Sequence, residues 1–80
     1  MSLIDELKTL KIQTDPRKIY KTVVKNNCAA LLKKLEGHSA YNSFSEKHNE
    51  LTNILKNKKT FCKKEKAKIH NDIKFILTKI

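Results

Sequence analysis

Five side chains could bind a metal or build a nucleophile–base pair: Cys28, Cys62, His38, His48 and His70. Structural zinc sites draw their ligands from close local pairs, because a single turn must present two donors to one tetrahedral ion. None of the five stands in such a pair, so no bound metal is expected. A thiol nucleophile needs a base and a third group that orients the base. The eight carboxylates are scattered and fall mostly on the outer faces of predicted helices. Loops that cradle phosphate need several glycines, and Gly37 stands alone. The chain reads as a non-enzyme with no cofactor.

The chemistry that the composition favours is anion binding. Eighteen Lys and Arg against eight Asp and Glu give a formal charge of +10 in 80 residues. Of the basic residues only Arg17 is arginine. Lysine is a flexible point charge suited to phosphate, whereas arginine's planar fork reads guanine edges or pairs carboxylates bidentately. A surface built on lysine predicts backbone contacts with little sequence discrimination. Abundant Lys, Asn and Ile also accompany AT-rich coding, so net charge by itself argues only for non-specific partners.

The charge is unevenly placed. Residues 1–15 sum to −1, 16–37 to +5, 38–57 to zero and 58–80 to +6. Lys56, Lys58, Lys59, Lys63, Lys64, Lys66 and Lys68 lie within thirteen residues and are opposed only by Glu65. Cations at a helix start oppose its macrodipole by a few tenths of a kcal/mol each, up to ~1. An arrangement that costs stability is expected to meet an external anion. Lys18, Lys21 and Lys25 form a second row, with Lys33 further along. If helices two and four were neighbours, the two rows would merge into one stripe. Phe75 projects outside the apolar arc of helix four, among lysines, where a ring could stack a base for ~1–3 kcal/mol. A single ring more often covers a neighbouring helix end, here helix one, or a dimer contact, because stacking platforms usually combine several aromatics.

These residues must be positioned by helices, since apolar residues recur at three- and four-residue steps and no strand alternation persists. The predicted helices span 3–12, 16–36, 40–56 and 61–80. Ser2 would cap the first, and Asp15 with Pro16 would start the second. Gly37 would follow the second, Ser39 would cap the third, and Thr60 would cap the fourth. The apolar stripes are Leu3, Leu7 and Leu10; Ile19, Tyr20, Val23, Val24, Ala30, Leu31 and Leu35; Tyr41, Phe44, His48, Leu51 and Leu55; and Cys62, Ile69, Ile73, Ile76 and Ile80. His48 is expected as a hydrogen-bonded core histidine, and both cysteines as reduced packing residues. The expected fold is all-α: a small three- or four-helix bundle with antiparallel helices, one domain over residues 1–80.

No apolar run approaches the ~20 residues that span a bilayer, and the acidic start is unlike a signal peptide. A cytoplasmic protein without integral membrane association is therefore expected. The leading expectation for function is a small accessory protein that binds nucleic acid, DNA or RNA, through phosphate contacts. Its sites would be Lys56, Lys58, Lys59, Lys63, Lys64, Lys66 and Lys68, with Lys18, Lys21, Lys25 and Phe75. The alternative is a helical interaction module or inhibitor, of phage or mobile-element type, that docks an acidic protein. A homodimer is compatible with so small a core.

Overall fold

A computed structural model describes residues 3–57 and 60–80, excepting the side chain of Asn57. Four helices account for most of them: α1 (Leu3–Gln13), α2 (Thr22–Glu36), α3 (Tyr41–Asn57) and α4 (Lys63–Lys79), with no strand among the described residues. The fold is a small all-α helical bundle. The expected cap at Ser2 lies outside the described residues.

Each helix packs against two others, α1 against α2 and α4, and α3 against the same two. The arrangement is a closed ring, in which α2 and α4 are not in contact among the described residues. Lysines within the helical spans of α2 and α4 are therefore separated by α1 and α3, whereas Lys18 and Lys21 precede α2 and are not bound by that separation. The apolar stripes converge inside the ring. Leu7 and Leu10 meet Val24, Cys28, Leu31, Leu32 and Leu35 from α2, Phe44, Leu51 and Leu55 from α3, and Ile69, Ile73 and Ile76 from α4.

The largest departure from the sequence reading is the start of α2, which lies at Thr22 and not at Pro16. Asp-Pro begins a tight turn as readily as a helix, and here it makes the turn. The Asp15 carbonyl accepts the Lys18 N–H at 2.9 Å, while Asp15 Oδ1 accepts the Arg17 N–H at 2.9 Å. Residues 18–21 then run on without helix. Ile19 and Val23, placed in the core by periodicity, are instead 85% and 56% exposed, and Ala30 is exposed as well. Cys28 and Leu32 occupy the inner face in their place.

The other ends differ in smaller ways. Gly37 caps α2 at φ −91°, a conformation that any residue adopts. His38, not Ser39, leads into α3: its Nδ1 accepts the Ala40 N–H at 3.0 Å and its carbonyl accepts the Tyr41 N–H at 3.1 Å. At α4 the cap is Cys62, whose backbone N–H donates to Glu65 Oε1 at 3.0 Å. Cys62 is exposed and leaves the apolar arc, and Thr60 lies two residues short of the cap.

Among the described residues, three polar side chains are buried: Thr14, His48 and Asp72. Thr14 Oγ1 donates to the Leu10 carbonyl at 2.8 Å, closing the end of α1. His48 lies on the inner stripe of α3, with Nε2 2.7 Å from the Leu32 carbonyl. A carbonyl only accepts, so the proton sits on Nε2. His48 Nδ1 and Asp72 Oδ2 are each buried without a partner. Burial pushes the Asp72 carboxyl above its ordinary 3.8, against the opposing pull of Lys68 and Lys47 and with a further push from Glu50.

Two outcomes follow from this packing. Ile73→Asp places a charge at a fully buried position and is expected to abolish the helical circular dichroism signal, whereas Ile19→Asp should shift stability by no more than ~0.5 kcal/mol. Asp72 carries a folded-state pKa above its unfolded value, so it weakens the fold as pH rises from 3.8 through that raised value. Asp72→Asn should therefore melt higher than wild type at neutral pH, by the equivalent of roughly 1 kcal/mol. The difference between the two melting curves should vanish as pH falls below the ordinary carboxylate range.

Candidate nucleic-acid interface

The connection between α1 and α2 is fastened to the start of α4 through Tyr20. Its hydroxyl donates to the Thr14 carbonyl and lies 3.2 Å from the Lys66 carbonyl. Its ring meets Phe61 at 5.9 Å between centroids, tilted by 60°. Lys66 folds over the same ring, with Nζ 5.3 Å from the centroid, and donates to the Lys18 carbonyl at 3.2 Å. Thr14 Oγ1 lies 3.5 Å from His70 Nδ1. Burial raises the Tyr20 phenol above its ordinary value, so it stays a protonated donor.

This fastening brings together two basic segments that lie more than forty residues apart in sequence. Arg17, Lys18 and Lys21 come from the connection, and Lys63, Lys64 and Lys66 from the first turn of α4. Lys18, Lys21, Lys63 and Lys64 are exposed. Arg17 is committed to Asp15 by a bidentate pair, Nε to Oδ1 at 3.1 Å and Nη2 to Oδ2 at 2.9 Å. Those bonds from Arg17 hold the Asp15 carboxyl far below the usual range. Lys21 is also the N-cap residue of α2, which receives no side-chain cap and has no acid in its first turn. A helix start of that kind favours an anion, through its field and its unsatisfied N–H groups.

The remaining predicted contacts are distributed elsewhere. Lys58 and Lys59 lie outside the described residues. Lys68 is bound to Glu50 at 3.1 Å, with Lys47 on the same carboxylate at 3.5 Å. These lysines, Lys68 first, lower the Glu50 pKa. Lys25 and Lys56 line a groove between α2 and α3. Phe75 is 36% exposed, but its neighbours are the ammonium groups of Lys79 at 5.2 Å and Lys47 at 5.9 Å from the ring centroid. Nine residues of helix separate it from Lys66, about 13 Å of axial rise. Phe75 therefore stands apart from the basic end.

Sequence reasoning assigned Tyr20 to the core stripe of a helix and so missed its fastening role. The signal for that role was the pair of aromatics beside basic segments, Tyr20 and Phe61, whose proximity only the folded chain reveals. Among the described residues, no group of three or more His, Cys, Asp or Glu side chains is placed to hold a metal ion. No helix among them is long and apolar enough to cross a membrane. Both thiols are free, Cys28 buried and Cys62 exposed.

No protein-family model, curated protein or solved structure matches this chain.

The unequal thiols give a direct check on the packing. Burial pushes the Cys28 thiol up to about 12, and only a thiolate attacks a disulfide reagent. Ellman's reagent is expected to titrate Cys62 alone in the folded protein, and Cys28 only after denaturant is added. Rapid reaction of both thiols without denaturant would contradict the buried position of Cys28.

Proposed function

We propose that this protein binds nucleic acid through the phosphate backbone, using the basic end formed by the α1–α2 connection and the start of α4. The observation that carries the reading is the Lys66–Lys18 contact, which joins two basic segments into one surface. The cations of that surface are almost all lysines, so contacts to phosphate would fix position without reading base edges. The uncapped start of α2 adds a donor-rich helix terminus beside Lys18 and Lys21. Phe75 takes no part in this form of the site.

A second reading is favoured by one specific feature. Ile19 and Val23 stand exposed next to Lys18 and Lys21, and phosphate contacts make no use of an apolar side chain. An acidic protein surface with an apolar centre would use both, as charged rims and apolar anchors do at interfaces.

With about four phosphate contacts, binding to duplex DNA should weaken with salt along a log–log slope near −3 to −4. Changing Lys18, Lys21, Lys63 and Lys64 together to Gln should retain helicity, lower affinity for every sequence and flatten that slope. Changing Lys8, Lys33, Lys74 and Lys79 to Gln removes equal charge and serves as the comparison, read by fluorescence anisotropy. Equal losses in the two variants would mean diffuse charge and no site. A wild-type protein that binds neither DNA nor RNA at low salt would end the phosphate reading, and Ile19→Ser would then be tested against acidic protein partners.

A further inference from the structure

Helix α2 is flanked by two grooves of similar size and different character. The groove against α1, of about 330 Å³, is crossed by the protein's own ion pair, Lys34 Nζ to Glu6 Oε1 at 2.8 Å. The groove against α3, of about 310 Å³, has an apolar floor of Ala29, Leu32 and Leu55. Its rim carries Lys25 and Lys33 from α2 and Lys56 from α3, against the single acid Glu36. On the α1 side the chain supplies a carboxylate across the groove, and on the α3 side both walls supply ammonium groups.

We propose that the α2–α3 groove docks an acidic amphipathic helix, whose apolar side chain seats on Ala29, Leu32 and Leu55 and whose carboxylates meet Lys33 and Lys56 on its opposite walls. Charge complementarity selects the acid. The apolar floor selects the helix's other face: a groove between two helices accepts the ridge of a third, read as anchors three and four residues apart. The volume suits one or two aliphatic side chains and falls at the small end of ligand pockets. Nucleic acid would satisfy the rim but would leave the floor uncovered. This inference concerns α2 and α3, and it does not rest on the phosphate reading of the basic end.

The probe is a fluorescein-labelled alanine-based helical peptide with Glu at i and i+7 and Leu at i+3 and i+4, compared with the same peptide carrying Ser for Leu. Ala29 and Ala30 are both exposed, and they line opposite grooves. Ala29→Glu and Ala30→Glu therefore carry the same charge and the same helix cost on the two sides of α2. Anisotropy titration is expected to show Ala29→Glu weakening the probe by about tenfold or more, with Ala30→Glu close to wild type. The Ser peptide should lose a comparable amount on wild type. Equal losses in the two variants, or equal affinity of the Leu and Ser peptides, would reduce the effect to net charge and overturn the proposal. Should Ala29→Glu lose its helical signal, Lys33→Gln with Lys56→Gln replaces it, compared with Lys74→Gln and Lys79→Gln under the same expectations. If a thymidine oligonucleotide displaces the probe and Ala29→Glu weakens the oligonucleotide equally, the groove belongs to a nucleic-acid surface and the proposal fails. If sedimentation shows a wild-type dimer that Ala29→Glu dissociates, the occupant is a second copy and the proposal fails likewise. A loss of phosphate binding at the basic end would leave this result untouched.

Discussion

The position of Tyr20 governs much of the rest. Its hydroxyl can reach the Thr14 and Lys66 carbonyls, and its ring can lie against Phe61, only if the chain between Asp15 and Lys21 leaves the helical path. The two carbonyls belong to the end of α1 and the first turn of α4, so one side chain ties three parts of the bundle together. A buried phenol needs a hydrogen-bond partner, and the Thr14 carbonyl, just past the end of α1, suits it because the last carbonyls of a helix lack partners within it. The delayed start of α2, the exposure of Ile19 and the approach of Lys18 to Lys66 all accompany this anchoring.

The ring of four helices has a second consequence for charge. Lysines that share a helix are separated by the neighbours their helix meets. Lys34 turns to Glu6 of α1, while Lys68 and Lys47 share Glu50 of α3. These pairs are exposed, and each contributes little to stability. Their effect is on function, because a lysine held by a carboxylate must leave it before it can meet a phosphate. Part of the formal charge of +10 is thus held by carboxylates within the fold.

The core is small and contains polar groups in different states of satisfaction. Thr14 and His48 each place a donor on a main-chain carbonyl, while His48 Nδ1 and Asp72 Oδ2 are left without a partner. In a chain of this length, a few kcal/mol decide whether the fold persists. Asp72 therefore weighs more here than it would in a larger protein. It also sits in the field of Lys68, Lys47 and Glu50, so its protonation is coupled to the ion pairs on the α3–α4 face.

Local pattern identified four helical stretches, though it began the second six residues early. Leu7 with Leu10, Phe44 with His48 and Leu51, and Ile69 with Ile73 and Ile76 repeat at helical steps, and all are buried. Such periodicity depends only on 3.6 residues per turn and needs no partner to be read. The lysine-rich composition and the position of His48 on an inner face were legible for the same reason. What periodicity does not contain is the neighbour. Whether Asp15-Pro16 opens a helix or a turn depends on where Tyr20 finds carbonyls, and those lie on α1 and α4. Whether Cys62 joins the core or caps a helix depends on Glu65 reaching back to its N–H. Whether the two lysine rows meet depends on the order of helices and on the path of the connection: the ring places α1 and α3 between the bodies of α2 and α4, while the connection brings Lys18 to Lys66. Only the tertiary contacts fix these points, because each is decided by a partner far away in sequence whose approach no local spacing records.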